Sequence, residues 1–415
     1  MFDDPLLLAR LQFSFTAATH YLFVAFTLGL APFILFGQLG AVLRRDPARL
    51  RAVRFWGGLY VVNYGMGVLS GLVMELQLAV NWSGLSEAFG YAFGAPLAVE
   101  TMVAFFLEST FLGLWIFGWD RMNRWAHLAC FAVVAATAYA SAYWVLVANG
   151  FLRSPVGFEM RGGTAVVTDA TALLANPAAV LAFAHVVAGT LMVGAVVVAA
   201  VSAYHLARGA DPDRMFIRAL RASGLVLALA LMPTAATGGL QFGAAADAPP
   251  TSGLTLTAAE IAAVEDAYDG GAAAAIGAAG EMVMVLSWTL MSLLALALLL
   301  AWVPKAPGPL RWALWPVVLT PVLPYAASVG GWVYRETERQ PWAVVHHLTT
   351  ADAMTDLGPV AAGVSFSLFT AAFAVLAGTT WWLLVRYARR GPDGGPLAPA
   401  PPPESDARPP AVPVA

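Results

Sequence analysis

The stretch FGAPLAVETMVAFFLESTFLGLWIFGWDR (residues 93–121) decides how the chain is read. From Phe93 to Gly118 it carries two charged side chains, Glu100 and Glu108, in an otherwise apolar run. About 20 apolar residues cross the hydrocarbon core of a bilayer as a helix, and a carboxylate inside such a run costs roughly 3 kcal/mol unless it is paired or used. The segment therefore reads as a membrane span with two working acids. They are separated by about 12 Å of rise and about 80° of turn on a straight helix, so they form a polar track along the span and not one chelating pair. Such a track suits proton movement.

The rest of the chain agrees. Its 415 residues are 60% hydrophobic and 11% charged, against roughly half and a quarter for soluble domains, and the mean hydropathy is +0.72. A soluble globule is excluded, and a net charge of −3 gives no case for nucleic acid. The single cysteine, Cys130, sits in an apolar run and permits neither a disulfide nor a cysteine metal site. Hydropathy predicts an all-α integral membrane protein with nine spans, near 15–40, 54–79, 95–118, 126–149, 179–204, 216–238, 281–302, 311–333 and 360–385. The first begins too far in, with too little positive charge before it, for a cleaved signal peptide.

Basic residues set the orientation, because cytoplasmic loops are enriched in Lys and Arg. Arg44, Arg45, Arg49, Arg51 and Arg54 fall on one side, with Arg121, Arg124, Arg208, Arg214, Arg218, Arg221, Lys305, Arg311, Arg386, Arg389 and Arg390. The other side has Arg10, Arg153, Arg161, Arg335 and Arg339, and its longest loop, 239–280, has no Lys or Arg. This predicts an outer N-terminus and a cytoplasmic C-terminus. Residues 1–390 form the membrane domain, and the Pro-rich tail 391–415 is expected to be disordered.

Intramembrane ionisable groups are functional candidates by default. On the predicted spans His20, Glu100, His185, Met284 and Glu336 fall in the outer half of five different helices. Five side chains able to ligate iron, gathered at one depth, point to a haem-bearing layer. Each has a plainer reading as well: an isolated histidine is often a hydrogen-bonded packing residue, and methionine fills gaps in any apolar helix. Glu75 belongs either to the same network or to a separate buried acid. His127 and His205 fall at inner span ends and His346 and His347 in an outer loop, where interfacial roles are the default. His185 and His205 are about 30 Å apart along a helix, too far to stack two haems between paired histidines.

The strings ARLQFSFTAATHYLFV (9–24), GLVMELQLAVNWS (71–83), the segment 93–121, WVLVANG (144–150) and GWVYRETERQPW (331–342) resemble the large haem-bearing subunit of the bacterial cytochrome bd quinol oxidases. The resemblance runs in order from about residue 5 to 385. It implies a multi-pass protein of the bacterial plasma membrane that reduces O₂ to water with electrons from quinol and protons from the cytoplasm. It also implies three haems: a low-spin haem b on His185 and Met284, a high-spin haem on His20 and another on Glu336, one of the latter two a haem b and the other a haem d. Glu100 and Glu108 match acids beside the oxygen-reducing haem, while Arg339 and Trp332 match positions beside the haem cluster. A second polytopic subunit is the implied partner, with a small single-span peptide as an optional third.

The chain also departs from that family. The family's outer loop carries a Gln-Pro-x-Lys-x-Ala-Ala-x-Glu element whose Lys and Glu contact quinol; here residues 237–268 keep only AAVE (262–265). Glu265 stands for the Glu, and the Lys position falls on Glu260, which predicts a like-charge pair. Two further departures are Met282, where the family has an Arg two residues before the axial Met, and Glu338, where it has a Gly. A rival reading keeps the haems but replaces quinol by another electron donor. A transporter whose buried acids move ions is the reading from a different class, and haem absorbance separates it.

Overall fold

The computed structural model describes residues 4–246, 256–302 and 311–398. Among them are nine helical segments long and apolar enough to cross a membrane. They are α1 (Pro5–Arg44), α2 (Pro47–Asn81), the interrupted α3 (Ser83–Phe117), α4 (Arg124–Arg153), α5 (Pro177–Ala207), α6 (Met215–Ala246), α8 (Gly271–Leu299), α9 (Val322–Glu338) and α10 (Pro359–Arg390). A short α7 (Ala258–Ala267) lies in the outer loop before α8. The nine predicted spans all reappear, most of them lengthened, some by caps that hydropathy does not register; the eighth is broken near its start, and its long helix begins only at Val322. Asp4 accepts hydrogen bonds from the Leu6 and Leu7 amides with Pro5 at the first helical position, so α1 starts ten residues before the predicted span. Asp46 caps α2 in the same way, after Arg45 turns the chain in a left-handed conformation.

Helices α1 and α5 form the centre. The most apolar stretches of their segments are 56% and 67% buried, against 11% for α10 and 17% for the segments holding α3 and α9. Gly29 and Gly194 let the two central helices touch backbone to backbone: a Cβ on either would come within 2.2 Å of the other helix. Around that contact the described core has three large parts, beside a small cluster of Ala25, Val193 and Tyr325. Phe26, Tyr60, Trp115, Phe131 and Phe216 pack at the end that carries the arginine-rich loops, termed inner after the expected orientation, Trp82, Phe89, Phe151 and Phe158 at the opposite, outer end, and Met192, Val196, Leu227 and Leu294 between α5, α6 and α8. Two small antiparallel hairpins cover the outer end: β1 (Phe158–Arg161) with β2 (Thr164–Val167), and β3 (Trp342–Val344) with β4 (Leu348–Thr349). Gly162 and Gly163, both at positive φ, make the first turn.

Loops placed on one side by their arginines do meet there. Arg51 pairs with Asp213 and Asp393, and Arg54 with Asp120. The tail is a partial correction. Disorder was expected from Gly391, but residues 391–398 fold back on the inner end, where Leu397 is 8% exposed and packs with the cluster around Trp115. Leucine in a Pro/Gly-rich segment still has apolar surface to bury, and Gly57 and Gly58 on α2 leave room for Leu397 and Pro396. Residues 399–415 and Lys305 lie outside the described residues, as does part of the long outer loop (247–255).

Candidate functional site

His20 projects from α1 toward α2, where its Nδ1 pairs with the Ser70 hydroxyl at 2.9 Å and its Cε1 edge faces Gly71. His185 on α5 is held by the same means against α6: Nδ1 donates to the Thr234 carbonyl at 2.9 Å, and Gly238 faces Cε1. In both rings Nε2 makes no hydrogen bond to a described residue. Pinning Nδ1 fixes the ring and leaves Nε2 as the free lone pair, the arrangement of a histidine ready to ligate a metal. On α8, Met284 lies against α9 with its sulfur beside Gly331, while Met282 is 60% exposed on the outside of the bundle. Of the two methionines, Met284 is the one turned inward.

Glu336, near the outer end of α9, is paired with Arg339 one turn on, and the Asn149 amide donates to its other oxygen at 3.4 Å. Arg339 also donates to the Ala343 carbonyl. Trp332 stacks obliquely on Phe13, with ring centroids 6.4 Å apart. The predicted single layer becomes a band. Along α4, Asn149 marks the level of Glu336 and Ser141, which donates to Glu100, lies eight residues further in, about 12 Å. Sequence depth was counted from span ends, and the true helices overrun those ends by unequal amounts.

The acids of α3 lie along one track, each with its own hydrogen-bond network. A π-helical stretch, Glu100–Phe105, separates Glu100 from Glu108; its wider winding turns less per residue than an α-helix and brings the two acids closer to one face than the straight-helix reading allowed. Thr101 lies within hydrogen-bond distance of both Glu75 (3.0 Å) and Glu100 (3.1 Å), which assigns Glu75 to the network of Glu100. A hydroxyl has one proton to donate, so it can serve both acids fully only when one is itself protonated. Deeper in, Glu108 is 6% exposed and accepts from Tyr60 at 3.5 Å, and the Tyr64 ring stacks on Tyr60 with its hydroxyl buried and unbonded. Tyr60, Tyr64, Ser141 and Thr101 were missed in the sequence, because hydroxyls in apolar helices are too common to stand out.

The outer loop corrects the expected like-charge pair. Glu260 closes a capping box on α7, accepting from the Thr257 backbone and hydroxyl at 2.8 Å; these bonds hold its carboxyl below the usual carboxylate range. Glu265 is five residues on, about 140° around the helix, and faces the β3–β4 hairpin. There Trp342 Nε1 lies 3.4 Å and His346 Nε2 3.5 Å from its carboxylate. The two glutamates do different jobs on different faces.

Comparison with known proteins decides the lineage of this band. The family description "Cytochrome bd terminal oxidase subunit I" matches residues 8–280 and 279–392. The chain belongs to the cytochrome bd terminal oxidase subunit I family.

Within that family it is 41% identical over 203 residues to cytochrome bd ubiquinol oxidase subunit 1 of Bacillus subtilis (strain 168), covering 49% of this chain and 43% of that one. It is 40% identical over 210 residues to cytochrome bd-II ubiquinol oxidase subunit 1 of Escherichia coli (strain K12), covering 50% and 41%. The matched stretches thus span about two-fifths of those relatives' lengths. The structure of bd oxidase from Geobacillus thermodenitrificans superposes with a TM-score of 0.81 over 94% of this chain and 99% of that one, at 24% identity, and so shares the fold. The protein is a multi-pass membrane protein, its cytochrome family implies haem, and a subunit I implies further subunits.

The residues present fit a haem. Two rings with free Nε2, a thioether and a carboxylate are iron ligands by chemistry. Glycines seat three of them: a Cβ at Gly71, Gly238 or Gly331 would come within 3.2, 3.0 and 2.7 Å of His20, His185 and Met284, so these side chains hold their positions only because those sites lack a side chain. No group of three or more His, Cys, Asp or Glu clusters to hold a bare metal ion among the described residues. Ligands spread over separate helices suit iron carried in on a macrocycle.

Proposed function

We propose that this chain is the haem-bearing subunit of a terminal respiratory oxidase that reduces O₂ to water with electrons from membrane quinol. The observation that carries this is the shared design of His20 and His185, each with Nδ1 pinned, Nε2 free and a glycine opposite, in a bd-family chain. His185 and Met284 would hold a low-spin haem b, since two axial ligands saturate iron and favour electron relay. His20 would hold one high-spin haem and Glu336 the other, a haem b and a haem d, with Arg339 and Trp332 beside them. Bound haem supplies the one-electron and oxygen chemistry that the side chains lack.

The chain's own part is to move protons and receive the donor. Glu108 takes protons arriving from the arginine-rich inner face, which the charge bias makes cytoplasmic. Tyr60 and Tyr64 carry them along α2, and Ser141 and Thr101 hold Glu100 and Glu75 where they can share one. On the outer side Glu265 fixes α7 to the β3–β4 hairpin, forming the donor's docking face. Quinol oxidised there releases its protons outside, so turnover separates charge without a dedicated pump. A second polytopic subunit covers α2 and α3, where Glu75 is exposed to the bilayer in this chain alone; a small single-span peptide is an optional third.

The test is a reduced-minus-oxidised spectrum of the purified complex with haem extraction, then oxygen uptake with ubiquinol, menaquinol and a non-quinone donor. Low-spin and high-spin haem signals with quinol-driven uptake are expected. Uptake from the non-quinone donor alone favours a haem-binding electron-transfer subunit fed by another partner, and a protein without Soret absorbance ends the oxidase reading.

A further inference from the structure

The outer ends of α4 and α9 gather three arginines and two glutamates, and among the described residues the pairing leaves one cation over. Arg153 pairs with Glu338 at 3.2 Å, and Arg339 with Glu336. Arg335 has no carboxylate within ion-pair distance among the described residues. Its Nη1 donates to the neutral Gln241 side chain at 2.6 Å, and its Nη2 is buried without a hydrogen bond. A buried guanidinium with an idle donor is costly; of the charges that act on it, Arg153 and Arg339 are cations, and the one anion, Glu336, is already paired with Arg339. Among the described residues the site is short of one anion.

Its position says which anion. On α9, Gly331 abuts the Met284 sulfur, and Arg335 stands four residues outward on the same face, about 6 Å. On α6, the His185 ring lies against Thr234 and Gly238, and Gln241, which holds Arg335, is one turn further out. Arg335 therefore sits one helical turn outward of both His185 and Met284, close enough to act electrostatically on the His185 ring. A haem carries its two carboxylates on one edge of the ring, and a guanidinium binds carboxylate through paired N–H donors. We infer that Arg335 is a positioning residue that anchors a propionate of the haem held by His185 and Met284. This rests on the ligand assignment proposed above.

The test is a redox titration of the low-spin haem in the purified complex, for the unmodified protein, Arg335→Gln, Arg335→Lys and Gln241→Leu, with haem content measured alongside. A cation beside the ring favours the reduced, less positive iron. Arg335→Gln should lower the ferrous-to-ferric ratio at fixed potential about tenfold, a midpoint shift of about 59 mV to the negative for one electron. Arg335→Lys keeps the charge and Gln241→Leu keeps the guanidinium while cutting the strap between helices, so both should stay within about threefold. An unshifted midpoint in Arg335→Gln with haem retained overturns the inference, as does an equal shift in Gln241→Leu, which would make Arg335 a strap. If Arg335→Gln does not assemble, the other two decide: a tenfold fall in either overturns it. His185→Ala run in parallel separates the levels, because a low-spin signal that survives there refutes the ligand assignment itself.

Discussion

Two pairs of intramembrane histidines use one side chain in opposite ways. At the inner end, His127 is 4% exposed, with Nδ1 on the Gln38 amide, Nε2 on the Trp115 carbonyl and its ring stacked on Trp115. His205 is 6% exposed, directs Nε2 to the Ala388 carbonyl and stacks on Phe216. In the outer half, His20 and His185 bond through Nδ1, set the Cε1 edge against a glycine and spend no hydrogen bond of Nε2 on a described residue. What separates the two proposed ligands from the two structural histidines is which nitrogen is spent.

The largest effect should come from exchanging those roles. His185→Ala or Met284→Leu is expected to abolish the low-spin haem signal, and His20→Ala one high-spin signal, in protein that still inserts. His127→Leu should leave every haem signal in place and cost about 1–3 kcal/mol of stability, from the Gln38 and Trp115 groups left unpaired. Spectra and thermal unfolding of the four variants check this; a haem lost from His127→Leu with stability unchanged would break the comparison.

A second, smaller loss is expected among the acids. Glu108→Gln keeps the size and the contact with Tyr60 but carries no proton, so oxygen uptake should fall about 100-fold at full haem content. Tyr64→Phe removes only the unbonded hydroxyl and should slow uptake less, with a larger solvent isotope effect than the unmodified protein. Normal uptake in Glu108→Gln would reduce that acid to the structural class of His127.

How much of this the sequence discloses follows from what each feature depends on. Spans, the arginine-rich side and the candidates His20, His185 and Met284 depend on composition and local order, and they were legible. Met284 over Met282, and Glu75 joined to Glu100 through Thr101, depend on which face a helix turns to its neighbours. The π-helical stretch at Glu100 left no sign in hydropathy, because wider winding changes facing and not composition. Glu260 was misread for a related reason: aligned position implied a site, while the Thr257-x-x-Glu260 capping box was local and could have been seen.

That misreading gives a third test, in the outer loop. Glu265→Ala frees α7 from Trp342 and His346 and should depress quinol-driven uptake about tenfold, while uptake from an artificial donor is retained. Glu260→Lys should leave quinol-driven uptake unchanged, because the side chain is engaged with Thr257 and turned away from Glu265. A rise in quinol activity on Glu260→Lys would restore the like-charge reading.

The smallest effect concerns the third pair of histidines, side by side in the outer hairpin. His346 reaches Glu265, whereas His347 is 7% exposed and packs edge-on against Phe89 and Phe158. Burial, and then the neighbouring His346, lower the His347 pKa from 6.5 to about 4. The unfolded hairpin therefore binds the proton more readily than the folded one. Stability attributable to His347 is complete above about pH 6.5 and is lost as pH falls toward 4, with no further loss below that. One proton is involved, so local opening should rise about tenfold for each pH unit in that window. Hydrogen exchange of residues 342–349 at pH 7.5, 6 and 5, corrected for intrinsic chemistry, measures it. His347→Phe keeps an aromatic ring against Phe89 and Phe158 and removes the proton, so exchange in that variant should be flat with pH. Protection that stays flat in the unmodified protein, or still falls in His347→Phe, would assign the titration to another group and leave His347 with His127 as a purely structural ring.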